Sequence, residues 1–163
     1  MTNPIRLWTS AAYHPAFRCG GWAFVREAGG QLSGGAGGER YTSAGRMALA
    51  GLAAGLRDLP AGAAPLAVST SSPELAAFAG VLARLGQAGA ANSPDEDIDL
   101  WAQILAAARG RAVGLIRAAA EPGTPGAFTA AWAELARDKA KATGPFAAAI
   151  PKANLAKVAG LEA

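Results

Sequence analysis

The sequence predicts an α/β domain in which helices pack on a mixed β-sheet. Apolar residues alternate with polar ones between glycine turns over about the first 40 residues, which predicts an antiparallel meander of three strands. From residue 43 onward, segments with helical spacing alternate with short apolar strands, a pattern typical of strands joined by right-handed crossovers. At 163 residues the chain is most simply one domain and is long enough to bury a core.

The first three strands follow from alternation and turn residues. Residues 4–10 alternate in polarity and predict one strand, and residues 22–27 predict a second. Ala28-Gly29-Gly30 predicts a hairpin to a third strand that starts at Gln31. Its continuation over residues 34–38 is glycine-rich but lacks the Gly-Lys-Ser/Thr of a phosphate-binding P-loop, so we interpret it as a flexible strand end.

The later elements are bounded by capping residues and breakers. Ser43 is the predicted N-cap of a helix that Pro60 stops, and Ser72 with Pro73 predicts the start of another helix. The predicted spans are a helix over 43–59, a strand over 66–70, helices over 73–85 and 97–108, a strand over 113–116 and a helix over 128–141, with loops at 86–94 and 122–126. The predicted order is therefore βββαβααβα.

Composition excludes several classes of protein. The formal net charge of +3 is too small a bias to predict nucleic-acid binding by itself. The single cysteine, Cys19, excludes an internal disulfide and fits a cytoplasmic protein. Neither a signal peptide nor a transmembrane helix is expected, so no membrane partner is predicted. The abundance of alanine, and of arginine over lysine, suggests a bacterial source.

Short motifs on the predicted elements carry a resemblance to a known family. They are Gly20-Gly21-Trp22, Arg46-Met47, Asp99-Leu100-Trp101 and Glu134-Leu135-Ala136. In this order, from residue 5 to about 141, the chain resembles type 1 ribonucleases H. The resemblance implies a ribonuclease H-like fold with a five-stranded mixed sheet over residues 1–143. Residues 144–163 would then be a C-terminal extension.

The resemblance also identifies the positions at which that family holds two Mg²⁺ ions with four carboxylates. They are occupied here by Ser10, Ala48, Ser71 and Ala133, and Gly123 takes the position of the family's histidine. A hydroxyl is a weak neutral ligand for a hard cation, and alanine is none. The resemblance therefore implies a degenerate ribonuclease H with no catalytic residues intact, no metal site and no cofactor.

Several mostly basic residues are candidate contacts to nucleic acid, such as an RNA–DNA hybrid. They are Arg18, Arg40, Thr42 and Arg46, with the C-terminal lysines as further cations for phosphates. The family's Asn-Pro-Gly run before the second strand reads Ala16-Phe17-Arg18-Cys19, and its Asn-Asn pair reads Ala44-Gly45. These departures imply weakened hybrid binding as well as lost cleavage.

Three functions stay open from the sequence. The first is a non-catalytic interaction module that binds a protein partner or a second copy of itself, which the apolar tail favours. The second is nucleic-acid binding without cleavage. The third is a metal-dependent RNA–DNA hybrid endoribonuclease whose carboxylates have relocated to Glu74, Glu121 or Glu134.

His14 is interpreted as an exposed loop histidine, and the four tryptophans, at 8, 22, 101 and 132, as core or sheet-face residues.

Overall fold

The structure, a computed structural model, describes residues 3–60, 63–82 and 96–161. Its elements are β1 (Ile5–His14), β2 (Cys19–Ala28), β3 (Gln31–Arg40), α1 (Ala44–Gly55), β4 (Leu66–Thr70), α2 (Pro73–Ala76), α3 (Ile98–Ala108), β5 (Val113–Arg117), α4 (Pro125–Thr143), β6 (Phe146–Ala149) and α5 (Lys152–Leu155). No helix within these ranges is both long enough and apolar enough to cross a bilayer.

The strands form one mixed sheet in the order β5-β4-β1-β2-β3-β6. The first three strands pair antiparallel, β4 lies parallel to β1, and β5 lies parallel to β4, which confirms the predicted meander and crossovers. The expectation of five strands was wrong, because β6 pairs antiparallel with β3 as a sixth. Three of its four residues are alanines, which have little strand propensity, so only the pairing with β3 creates this strand.

The glycine-rich segment 34–38 is a buried part of β3, so its interpretation as a flexible strand end was wrong. A Cβ at Gly37 would overlap the indole of Trp22, and one at Gly35 would contact the ring of Phe24. These two aromatic rings of β2 stack, with centroids 6.4 Å apart. The glycines therefore make room for large side chains on the neighbouring strand, and β3 is ordered by those contacts.

The capping residues set the helix starts. Ser43 accepts a hydrogen bond from Arg46 N, and Ser72 accepts one from Leu75 N, as predicted. Thr124 caps α4 with Pro125 at its first position, so this helix begins three residues before the predicted start. Part of the predicted helix over 73–85 and the whole predicted loop at 86–94 lie outside the described residues.

The two faces of the sheet carry different cores. On one face, α1 and α3 bury large side chains, among them Leu7, Met47, Trp101 and Ile104. On the other face, α4 contributes alanines and packs so closely that a Cβ at Gly21 would overlap its backbone at Ala133. Gly21 thus lets the backbone of α4 pack directly on the sheet, whereas Gly20 faces Met47 of α1.

The tryptophans divide between these layers. Trp22 and Trp101 are buried, and Trp8 and Trp132 are half-buried on the face that α4 covers. All four lie on strands or helices, as expected from the sequence.

Candidate functional site

The parallel pairing of β1 with β4 brings Ser10 and Ser71 together. Thr9 lies opposite Thr70 in the register, so the next residue of each strand also meets its counterpart. The Oγ atoms of Ser10 and Ser71 are 2.8 Å apart, and Ser10 is 2% exposed. Two of the four positions that the resemblance identified are therefore hydrogen-bonded neighbours.

A third hydroxyl, that of Thr129 on α4, completes this cluster. Its Oγ1 lies 2.7 Å from Ser10 Oγ and also donates to Gly126 O at 3.1 Å, and the residue is fully buried. Sequence reasoning missed Thr129 because the family motif pointed to Ala133. Thr129 lies four residues earlier, on the same face of the helix, and that spacing is the signal that could have identified it.

The three bonds can form together in only one direction, because each hydroxyl carries one proton. Thr129 donates to Gly126 O, so it accepts from Ser10, which in turn accepts from Ser71. We refer to Ser71, Ser10 and Thr129 as the hydroxyl chain. It is neutral, and its buried members satisfy one another's hydrogen-bonding capacity.

The other two family positions contribute packing. Ala48 lies in the core on the α1 side, and Ala133 lies in the core beneath α4. Among the described residues, no group of three or more histidines, cysteines, aspartates and glutamates could hold a metal ion.

The three glutamates considered from the sequence as relocated metal ligands do not form a metal-binding group with one another in the described structure. Glu74 accepts from the Ser72 hydroxyl at 3.3 Å at the start of α2. Glu121 is exposed before α4, and Glu134 is exposed on α4.

A cavity of about 330 Å³ opens beside the hydroxyl chain. Ser71, Trp8 and the first residues of α4 line it, and Gly160 of the C-terminal segment closes one side. Gly160 packs against Gly123 O, while Arg6 donates to Leu161 O at 3.0 Å. The position of the family's histidine is therefore a left-handed glycine turn, with φ of 81° at Gly123, held by the tail.

Arg46 is committed to a cluster of carboxylates. It contacts Glu39 at 3.1 Å, Asp97 at 3.0 Å and Asp99 at 2.8 Å. Hydrogen bonds from Arg46 lower the pKa of the Asp99 carboxyl to about 2, and the same bonds raise the pKa of the arginine. Since three acids neutralise this cation, it is a poor candidate for phosphate contact.

The other predicted contacts differ in availability. Arg40 donates to the carbonyls of Ala140 and Lys141 and thereby caps the end of α4. The Thr42 hydroxyl is buried and has no hydrogen-bond partner within the described ranges. Arg18 is exposed in the turn between β1 and β2, with no ion pair to any described residue.

Aromatic residues that sequence reasoning did not select surround Arg18. Phe17 is 55% exposed and Tyr41 is 87% exposed, and Lys141 Nζ lies 3.6 Å from the centroid of the Phe17 ring. A hydrogen bond from Thr42 N to Arg18 O joins the two loops. We call Phe17, Arg18, Tyr41 and Lys141 the aromatic–cationic surface.

His14 lies at the border of this surface. It is half-buried at the end of β1, with its ring edge-on to Phe17 at 5.8 Å, and is not the exposed loop residue that was expected.

Comparison with known proteins identifies the fold. No protein-family profile and no curated protein matches the chain. Among solved structures, it resembles the N-terminal RNase H domain of a Mycobacterium tuberculosis protein, determined as a fusion with maltose-binding protein, at 16% identity and a TM-score of 0.60, over 86% of this chain and 97% of that one.

A second similar structure is LC9-RNase H1, described as a type 1 RNase H with the type 2 active-site motif. It shares 16% identity at a TM-score of 0.60, over 99% of this chain and 83% of that one. The fold is therefore ribonuclease H-like, with six strands in the sheet.

Proposed function

We propose that this chain is a catalytically inactive ribonuclease H-like protein that binds nucleic acid without cleaving it. The observation that carries the proposal is the hydroxyl chain, which stands where the resemblance places metal-binding acids. Two-metal hydrolysis requires cations held by several carboxylates, and three neutral hydroxyls supply none of that charge. Mg²⁺ is therefore not expected to bind to the free protein at this site.

The aromatic–cationic surface is the proposed contact to nucleic acid. Phe17 and Tyr41 offer rings on which bases stack, and Arg18 and Lys141 offer charges for phosphates. Arg46 is not part of the proposed contact, because its charge is neutralised by salt bridges to Glu39, Asp97 and Asp99. With so few cations, we expect weak binding that decreases as salt is raised.

The test is a titration with a labelled RNA–DNA hybrid at low salt with Mg²⁺, in which anisotropy and strand length are followed together. We expect binding with intact strands, and a loss of about tenfold or more for the double variant Arg18→Ala/Tyr41→Ala. Arg109→Ala is the matched control, because this exposed arginine precedes β5 at the opposite end of the sheet. No binding at low salt would refute the proposal.

The alternative is a metal-dependent hybrid endoribonuclease with carboxylates moved to Glu74, Glu121 or Glu134. This alternative is disfavoured because these glutamates do not come together as a set of metal ligands. Strand cleavage in the same titration, abolished by EDTA and by Glu74→Gln or Glu134→Gln, would establish it and overturn the inactive assignment.

A second candidate function is binding to a protein partner. The observation that favours it is an open, apolar edge of the sheet at β6, which is distinct from the aromatic–cationic surface.

A further inference from the structure

Strand β6 forms one edge of the sheet, and no described strand pairs with its backbone on the outer side. Ile150 N donates to Gly34 O at 2.9 Å, so Ile150 and, by alternation, Ala148 and Phe146 face β3. The N–H and C=O groups of Ala147 and Ala149 therefore point away from the sheet. An edge of this kind is a template for one more strand.

A groove lies beside this edge on the α4 face. It has a volume of about 270 Å³, and its walls include Trp132, Leu135 and Phe146. Leu135 is 63% exposed, so its side chain is available to contact a partner in this groove. Lys139 is at the rim of the groove, with Nζ 4.5 Å from the centroid of the Phe146 ring.

A second groove lies on the opposite face of the same edge. It has a volume of about 320 Å³ and is lined by Trp22, Phe24, Arg57 and Asp58 together with the alanines of β6. Because successive side chains of a strand point to opposite faces, a strand added at this edge would send alternate side chains into the two grooves.

We propose that this edge is a docking site for an extended peptide that pairs with Ala147 and Ala149. A large apolar side chain of the peptide enters the groove at Trp132 and Leu135, and an acidic side chain two residues away, on the same face of the peptide strand, meets Lys139. The other face of the peptide presents polar side chains toward Arg57 and Asp58. This mode of recognition combines backbone pairing for affinity with pockets for specificity.

Volume and charge favour a foreign peptide over a second copy of this chain. Pairing of β6 with its own copy would offer only alanines to the groove at Trp22 and Phe24, and Phe146 would be its one large side chain for the groove at Trp132. It would also bring together two chains of net charge +3, whereas an acidic side chain of a peptide complements Lys139. Pro145 and Pro151 flank the strand, which confines pairing to a short stretch and keeps the affinity moderate.

The test uses a phage-displayed library of random peptides about nine residues long. We expect selection of peptides with a large apolar residue and an acidic residue two positions apart, which bind as synthetic peptides in fluorescence anisotropy. Ala147→Pro should weaken binding by about tenfold or more, because it removes an outward N–H that the β3 ladder does not use. Ala147→Ser keeps that N–H and is the matched control, and Leu135→Glu should weaken binding through the groove.

Three outcomes would overturn the proposal. They are failure of the library to yield a binding peptide, equal binding of the selected peptides to the Ala147→Pro protein, and a concentration-dependent dimer that Ala147→Pro dissolves. The last outcome, seen by light scattering, would make a second copy the occupant. A thermal melt of each variant establishes that it is folded, and hybrid binding should be unchanged because the aromatic–cationic surface is separate.

Discussion

Two polar clusters of this molecule use opposite chemistry. The hydroxyl chain is neutral and buried, with Ser10 and Thr129 almost fully shielded from water. The cluster around Arg46 is charged and partly exposed, and it joins α1 to the end of β3 and the start of α3. The acidic residues of the Arg46 cluster thus connect secondary-structure elements at the surface. The position at which the resemblance implies catalytic acids is instead occupied by hydrogen-bonded hydroxyls.

We expect the largest loss of stability from an acidic residue introduced into the hydroxyl chain. Ser10→Asp would bury a charge without a cationic partner and should cost about 3 kcal/mol or more of unfolding free energy at pH 7. Burial raises the pKa of the introduced carboxyl, so the loss should shrink as the pH falls and the acid is protonated. Urea unfolding at pH 7 and at pH 4 measures both effects.

Ser10→Asn is the matched control for Ser10→Asp, since it has a similar volume without the charge. Equal losses for both variants at both pH values would mean that size, rather than charge, limits this position. Stabilisation of the Ser10→Asp variant by Mg²⁺ would mean that a single introduced carboxylate is enough for this site to bind a cation.

Thr129→Val removes the hydroxyl that accepts from Ser10 and donates to Gly126 O, and it keeps the side-chain shape. We expect a loss of about 1–3 kcal/mol, because both of these buried hydrogen bonds are lost. The double variant Ser10→Ala/Thr129→Val should lose less than the sum of the two single changes. Additive losses in chemical denaturation would show that the two hydroxyls act independently.

Arg46→Ala leaves Glu39, Asp97 and Asp99 to repel one another and should cost about 1–2 kcal/mol, an amount limited by solvent screening. The loss should be smaller in high salt. Thermal unfolding of this variant and of the exposed Arg109→Ala at two salt concentrations tests the prediction. An equal shift in Tm for both arginines would contradict it.

The smallest effect concerns pH. The pKa of Asp99 is about 2 in the folded protein, against an ordinary value of 3.8. The contribution of Asp99 to stability is therefore complete above about pH 4 and is lost as the pH falls toward 2. Asp99→Asn should flatten this dependence slightly, since the carboxylate is largely exposed. An unchanged acid profile would show that the pair contributes nothing measurable.

Local signals in the sequence were enough for much of the fold. Strand β4 has the predicted bounds, and the caps at Ser43 and Ser72 act as expected because capping is decided within a few residues. Strand β6 was missed, since Ala147 and its neighbours become a strand only through pairing with β3. Its formation depends on a partner more than 100 residues away in the sequence, which no local pattern encodes.

The candidate site was predictable to a similar extent. The resemblance singled out Ser10 and Ser71, which are hydrogen-bonded to each other in the structure, but it did not select Thr129. Arg46 looked like a free cation, because its acidic partners at positions 97 and 99 are more than 50 residues away and are brought near by the packing of α3 on α1. Ion pairs between elements that are distant in the sequence can be predicted only once the packing of those elements is known.

The close contact of α4 with the sheet has a consequence for how this protein can change over generations. A Cβ at Gly21 or Gly38 would overlap atoms of α4, so there is no free space beneath this helix, and a larger side chain beside Thr129 could enter only if α4 moved outward and lost these contacts. An acidic side chain at position 10 would therefore need replacements at its neighbours Ser71 and Thr129 as well. Successive single mutations offer only a narrow route from the neutral arrangement to an acidic one.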